Sequence, residues 1–199
     1  MGRKRATSET TKKLAIGGIL TALVFVLQMM GQFIKFGPFA ISLVLIPIVL
    51  GAALCDYKVS TWLGLIFGIA VLASGDAALF LGIDVAGTII TVLAKGALCG
   101  LAAGLVYKAL HKKGVKKTIA VFASAIICPL VNTGVFLLGC VVFFLDTIRE
   151  WGAAGGFTNI AQYLIIGLVG VNFLVELLGN VFLSPIIVRI LDFSKKLHK

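Results

Sequence analysis

The chain consists of six long apolar stretches separated by short polar segments. A helix needs roughly 20 apolar residues to cross about 30 Å of hydrocarbon, so stretches of this kind are typical of membrane spans. They run from about Leu14 to Ile34, Phe39 to Leu54, Val59 to Leu81, Val85 to Tyr107, Ile119 to Leu145 and Tyr163 to Leu191. The pattern predicts an all-α, polytopic membrane protein that forms a six-transmembrane-helix bundle.

Composition leaves little material for a soluble domain. Of the 199 residues, 60% are hydrophobic and 13% are charged. We therefore predict a single membrane domain over residues 1–199, with a basic N-terminal segment at 1–13, the six helices within 14–191 and a basic tail at 192–199.

Basic residues crowd onto alternate connections between the stretches. Fifteen of the eighteen Lys and Arg residues lie in the N-terminal segment, at Lys58, in the loop from Lys108 to Lys117, or from Arg189 onward. The opposite set of connections holds only Lys35 and Arg149. Because basic loops stay in the cytoplasm during insertion, we predict that both termini are cytoplasmic.

The net charge of +10 would indicate a nucleic-acid partner in a soluble protein. Here the basic runs lie beside helix ends, so the sequence predicts a lipid bilayer and no nucleic acid. Two interpretations of these runs stay open: they are solvated topology signals, or they contact anionic head groups or an acidic partner.

Catalytic and metal-binding motifs are missing from the sequence. The four cysteines have no CxxC spacing, and the two histidines, His111 and His198, lie in basic segments predicted to be cytoplasmic. HExxH, GxSxG and GxxxxGK patterns are absent as well. We predict no catalytic residues, no metal and no cofactor.

Polar side chains at membrane depth are few and therefore informative, because each is costly without a partner or a wet cavity. Lys95 lies ten residues into the fourth stretch, Asn132 lies in the predicted outer half of the fifth, and Asn172 and Glu176 share one helical face in the sixth. In one interpretation Lys95 and Glu176 form a structural ion pair. In the other, Lys95, Asn132 and Asn172 form the floor of an outward-facing pocket.

Two further surfaces are candidates. The segment from Asp146 to Asn159 is predicted to be a loop that closes over a ligand through Trp151 and Asn159, although Trp151 also suits an interfacial anchor. In the first stretch Ala15, Gly18 and Ala22 form a stripe of small residues. Such stripes let helices approach closely in lipid, either within the bundle or toward a partner membrane protein.

Several segments resemble a known family, the substrate-binding S components of energy-coupling factor (ECF) vitamin transporters. The resemblance rests on KKLAIGGILTAL, ISLVLIPIVLGAAL, WLGLIFGIAVL, LAKGALCGLAAGLVYK and PLVNTGVFLLG, in that order. It implies a six-helix subunit of a prokaryotic plasma membrane that binds a small water-soluble vitamin near the outer surface. It also implies partners, namely a membrane coupling protein and two cytoplasmic ATPases.

The resemblance further implies roles for particular residues. The family's partner surface carries an Ala-xxx-Ala pattern on the first helix, which Gly18 and Ala22 match in size but not in identity, with Ala15 one turn earlier. Its ligand contacts come from the outer ends of helices four to six and from two outer loops. The matching positions are Lys95, Asn132, Trp151, Asn159 and Asn172, and Glu176 lies one turn deeper.

These observations predict the substrate-binding subunit of an ECF-type ABC importer and no enzyme. A lysine beside amides would suit a solute with a carboxylate, such as pantothenate or a folate; if Glu176 neutralises Lys95, riboflavin, pyridoxine or a queuosine precursor fits equally. A self-sufficient secondary carrier or channel is the alternative. A membrane-embedded enzyme would have to work with Glu176, Lys95 and Asp146 alone.

Overall fold

The computed structural model describes the backbone of residues 2–31, 35–36, 39–40 and 43–196, and the side chains of residues 10–31 and 43–193. Helices dominate it. In chain order the elements are α1 (Gly2–Gly31), β1 (Lys35–Phe36), β2 (Phe39–Ala40), α2 (Leu45–Leu54), α3 (Tyr57–Ser74), α4 (Ala78–Leu81), α5 (Val85–Lys112), α6 (Lys117–Phe143), α7 (Leu145–Ala154), α8 (Ile160–Gln162), a π-helical segment (Tyr163–Leu168) and α9 (Gly170–Lys196). The two short strands pair antiparallel, with Lys35 opposite Ala40.

Five of the described helices are long and apolar enough to cross a membrane. They are α1 over Thr10–Gly31, α3, α5, α6, and α9 over Gly170–Phe193. Large apolar side chains cover their outer faces, as in Leu14, Ile19 and Phe182. An outward apolar surface of this kind suits hydrocarbon, so the chain is a helical, polytopic membrane protein.

The second predicted span is shorter than expected. Its helix, α2, occupies only Leu45–Leu54 and begins after the strand pair. At 1.5 Å per residue, ten residues extend about 15 Å, roughly half of the hydrocarbon thickness. Residues 32–34 and 41–42, which belong to the first two predicted spans, lie outside the described residues. The count of six membrane-crossing helices and the cytoplasmic termini stay predictions.

The third predicted span ends earlier than Leu81. Gly75 adopts φ +85° directly after Ser74 and closes α3 in the left-handed conformation. Glycine takes this conformation without steric cost, which makes it a common helix terminator. The chain then continues through a turn into the single helical turn α4.

The predicted loop from Asp146 to Asn159 is wrong over most of its length, because α7 occupies Leu145–Ala154. Asp146 lies in the first turn, where a negative charge stabilises the helix, and it accepts a hydrogen bond from Arg149 at 3.1 Å. Ile148 and Gly152 are buried one turn apart. The segment is therefore an amphipathic helix packed on the bundle.

Glycines bring α3 and α5 into backbone contact. A Cβ on Gly64 would collide with the carbonyl of Gly96, and one on Gly100 would collide with the carbonyl of Ser60. The Ser60 hydroxyl donates to the Gly100 carbonyl at 2.8 Å across the same contact. We call this contact the α3–α5 seam and define it by Ser60, Gly64, Gly68, Gly96 and Gly100.

The described parts of the four segments predicted to be cytoplasmic lie at one end of the bundle. Lys13 of α1 pairs with Asp56, which precedes α3, at 3.0 Å. Lys117 of α6 pairs with Asp192 of α9 at 3.3 Å. Near the end of α5, Lys108 Nζ lies 4.6 Å from the centre of the Tyr57 ring. We call this the basic end.

Candidate functional site

A cavity of about 80 Å³ lies toward the end of the bundle opposite the basic end. Its walls come from α1, α3, α4, α5, α6, α9, the junction between α6 and α7, and the turn that carries Asp76 and Ala77. Nine polar residues line it: Gln28, Asp76, Thr88, Thr91, Lys95, Asn132, Thr133, Asn172 and Glu176. Five phenylalanines supply most of its apolar wall: Phe67, Phe80, Phe136, Phe144 and Phe173.

Lys95 places its ammonium between two of these aromatic rings. Nζ lies 5.6 Å from the centre of the Phe67 ring and 5.3 Å from that of Phe136. Between described side chains the ion pairs are Lys13–Asp56, Lys117–Asp192 and Arg149–Asp146, so Lys95 takes part in none of them.

The two rings compensate only part of the cost of this position. A cation–π contact contributes about 0.5–2 kcal/mol, whereas withdrawing an ammonium from water costs several kcal/mol. The structural ion pair considered from the sequence is thus replaced by a looser arrangement, in which both charges line one cavity.

Three buried oxygen atoms in the cavity wall have no hydrogen-bond partner among the described residues. They are Thr91 Oγ1, Asn132 Oδ1 and Asn172 Oδ1. Thr91 and Asn132 are only 4% and 5% exposed. Each buried polar atom left without a partner costs about 1–3 kcal/mol, so the wall is arranged for hydrogen bonds that the protein does not make with itself.

On α9, the face that carries Asn172 and Glu176 turns toward the cavity. Glu176 is buried, and one turn further on Asn180 Nδ2 donates to the Glu176 carbonyl at 2.9 Å. Asn180 does not line the cavity. The π-helical segment before α9 ends at Leu168, and the next residue, Val169, lines the cavity; widened turns of this type are frequent at functional sites.

A polar link joins α1 to the turn after α3. Gln28, which is 3% exposed, donates through Nε2 to the Asp76 carboxylate and, at 3.4 Å, to the Ser74 hydroxyl. Gln28 and Asp76 both line the cavity. The first helix therefore contributes directly to this wall.

The other two predicted ligand contacts lie outside the cavity lining. Trp151 packs its ring 5.7 Å from that of Phe80 and so supports the wall from behind. Asn159 is exposed and caps α8, because its side chain accepts from the Ala161 N–H at 2.8 Å. The position of Trp151 follows from the folding of 145–154 as a helix instead of a ligand-covering loop, and that of Asn159 from its role as the cap of α8.

Sequence reasoning missed several lining residues. Thr88 and Thr91 were overlooked although they precede Lys95 by seven and four residues, which places all three on one face of α5. That spacing was a usable signal. Nothing in the sequence indicated Asp76, because its position depends on the turn that Gly75 creates.

Comparison with known proteins identifies the family. A family model described as "ECF transporter, substrate-specific component" matches residues 12–188. The chain belongs to this family. Searches of curated proteins and of solved structures returned no match.

As an ECF substrate-specific component, the protein is a transporter subunit and not a member of an enzyme family. Such components work with a membrane coupling protein and ATPases. The polar cavity of this subunit combines hydrogen-bonding groups with an apolar wall, a combination that is typical of small-molecule sites.

Proposed function

We propose that this ECF component captures a small water-soluble vitamin or related nutrient in the cavity and delivers it to the cytoplasm. Energy comes from a separate module of one membrane coupling protein and two cytoplasmic ATPases. The observation that carries the proposal is the set of unpartnered buried polar groups around one cavity, in a chain whose family is that of ECF substrate-specific components.

The cavity faces the outside of the cell in this proposal. It lies at the end of the bundle away from the basic residues, and basic segments favour the cytoplasmic side. Lys95, Asn132, Asn172 and Glu176 contact the nutrient. Trp151 has an indirect role through Phe80, and Asn159 serves as a helix cap.

Uptake assays test this function. The chain is expressed alone, and together with an ECF coupling module, in a host that lacks such modules. We expect ligand binding in both strains and uptake of labelled nutrient only with the module. Uptake by the chain alone would instead identify a self-sufficient carrier.

The partner surface is assigned to the outward face of α1. Ala15, Gly18 and Ala22 are all exposed, and a Cβ on Gly18 would meet no atom within 4 Å. The adjacent Gly17 is buried and faces Val59 instead. A smooth outward surface of this kind allows a partner helix to approach closely in lipid.

Gly18→Leu tests the assignment, because a bulky side chain here holds a partner helix away. We expect the variant to lose copurification with the coupling protein and ATPases while keeping its ligand affinity and thermal stability. Gly134→Leu is the matched control, since Gly134 is an exposed α6 glycine that also has open space around it. Simultaneous loss of stability and ligand binding in Gly18→Leu would show that Gly18 packs inside the bundle.

A further inference from the structure

The chemistry of the cavity wall restricts the solute that it can hold, if the proposed function is correct. The only cation in the described lining is Lys95, whose Nζ faces two phenylalanine rings and no hydrogen-bond acceptor among the described residues. A lysine ammonium carries three donors. An anionic group beside Nζ would accept from them and form charge-assisted hydrogen bonds, which are stronger than neutral ones.

Whereas the Lys95 ammonium needs a hydrogen-bond acceptor, the three buried oxygen atoms without partners among the described residues need donors. Asn132 Oδ1 and Asn172 Oδ1 are acceptors, and Thr91 Oγ1 can also accept. All three are buried in the lining of the same cavity. A solute that satisfies them must present N–H or O–H donors at some distance from its anionic end.

Two carboxylates limit the charge of the solute. Asp76 and Glu176 line the same small space, so a second negative charge on the solute would meet repulsion in surroundings of low dielectric constant. The rest of the described lining offers no second cation that could neutralise this additional negative charge. The wall therefore favours one anionic group, several donors and an apolar body.

We propose that the cavity selects a small monocarboxylate that carries N–H or O–H donors, with its carboxylate at Lys95 and its donors at Thr91, Asn132 and Asn172. Dianions and uncharged analogues of the same size bind more weakly. The inference rests on the proposed function as a nutrient-binding subunit and adds the chemical class of the nutrient.

Matched pairs of acids and uncharged analogues test this selectivity. The purified full chain is titrated with pantothenate and panthenol and with biotin and biotin methyl ester, because both acids combine one carboxylate with N–H or O–H donors. Binding is followed by thermal shift and calorimetry. We expect at least one acid to bind, with its uncharged partner at least about tenfold weaker, as loss of a charge-assisted contact implies.

Lys95→Met should reduce that preference to less than about threefold, since methionine keeps the length and apolar stem of lysine without its charge. Lys108→Met is the control, because Lys108 lies over the Tyr57 ring at the basic end of the same helix, far from the cavity; it should keep the full preference. An unchanged preference in Lys95→Met overturns the inference.

The outcomes separate this inference from the proposed function. Binding of uncharged compounds alone would overturn the monocarboxylate selectivity and leave the nutrient-binding subunit in place. Failure of every compound in the panel to bind would count against both.

Discussion

The helices α3 and α5 form two very different surfaces on neighbouring faces. On one, the α3–α5 seam, Gly64 and Gly96 hold the two backbones so close that neither position has room for a Cβ. On the other, Phe67, which precedes the seam residue Gly68, and Lys95, which precedes Gly96, line the cavity. One face brings the two backbones into contact, and the other carries polar groups that have no hydrogen-bond partner among the described residues.

Contact at the seam explains how the cavity is held in place. Backbone contact at the seam leaves no freedom for α3 and α5 to slide, because interiors packed at this density transmit strain instead of absorbing it. Lys95 directly precedes Gly96, so its Cα is fixed by the seam. We infer that contacts at the seam supply much of the free energy of unfolding. The cavity lowers that free energy, because its polar groups are kept without partners so that they can bind a ligand.

Breaking the seam should have the largest effect. Gly64→Val places a branched side chain against the Gly96 carbonyl, and overpacking against backbone should cost about 3 kcal/mol or more. We expect loss of a monodisperse peak in size-exclusion chromatography and a large fall in the unfolding temperature. The same substitution at Gly134, which is exposed with open space around it, should leave both nearly unchanged. A well-folded Gly64→Val protein would contradict the assignment of stability to the seam.

Removing a cavity acceptor should have the opposite effect on stability. Asn132→Leu deletes a buried oxygen that has no hydrogen-bond partner in the described part of the chain. The ligand-free protein should therefore gain about 1 kcal/mol of stability, while its ligand affinity falls at least about tenfold. Thermal unfolding without ligand and calorimetric titration with it measure the two effects.

Asn180→Leu provides the control for that experiment. Asn180 is also buried with an unpartnered Oδ1, but it lies outside the cavity lining. It should leave ligand affinity within about threefold of wild type. If Asn132→Leu lowers the unfolding temperature of the ligand-free protein, the inference that the polar groups of the cavity reduce stability is wrong.

The spans were the most predictable part of the fold. Val85 to Tyr107 and Ile119 to Leu145 lie close to the observed α5 and α6, because uninterrupted apolar runs leave a helix as the only way to satisfy the backbone in lipid. The early end of α3 depends on one glycine in a left-handed conformation. Sequence alone does not distinguish Gly75 from glycines that lie within helices.

The polar residues on the long helices could be placed around one space from the sequence, whereas those on the turns and short helices could not. Depth along the helices and four-residue spacing were enough to expect Lys95, Asn132, Asn172 and Glu176 around one space. Trp151 lies outside the lining because 145–154 folds as a short amphipathic helix, whereas the glycines at 152, 155 and 156 had suggested a loop. The Gln28–Asp76 contact joins residues 48 positions apart, and no local pattern indicates such a pair.

A smaller effect is expected at the basic end of α3, which tests whether stability there is independent of the cavity. Asp56 caps α3 by accepting from the N–H groups of Lys58 and Val59 at 3.0 and 3.1 Å, and it also accepts from Lys13. Burial acts to raise the pKa of this carboxyl, but the hydrogen bonds from Lys13 and from the backbone outweigh it and hold the pKa below its ordinary value. Asp56→Ala should therefore cost about 1 kcal/mol at neutral pH, the usual loss for a helix cap, without changing ligand affinity.

The sign of the pH dependence follows from the lowered pKa of Asp56. The contribution of a carboxylate with a depressed folded-state pKa is complete above its unfolded pKa of about 3.9 and is lost as the pH falls through the folded value. The difference in unfolding temperature between wild type and Asp56→Ala should thus be constant from pH 7 to about pH 5 and shrink below about pH 4. Asp192→Ala, which removes an ion pair to Lys117 on an exposed carboxylate, should change the unfolding temperature less at every pH. A difference that grows on acidification would contradict the lowered pKa of Asp56. A loss of ligand affinity in Asp56→Ala would show that the basic end and the cavity are coupled.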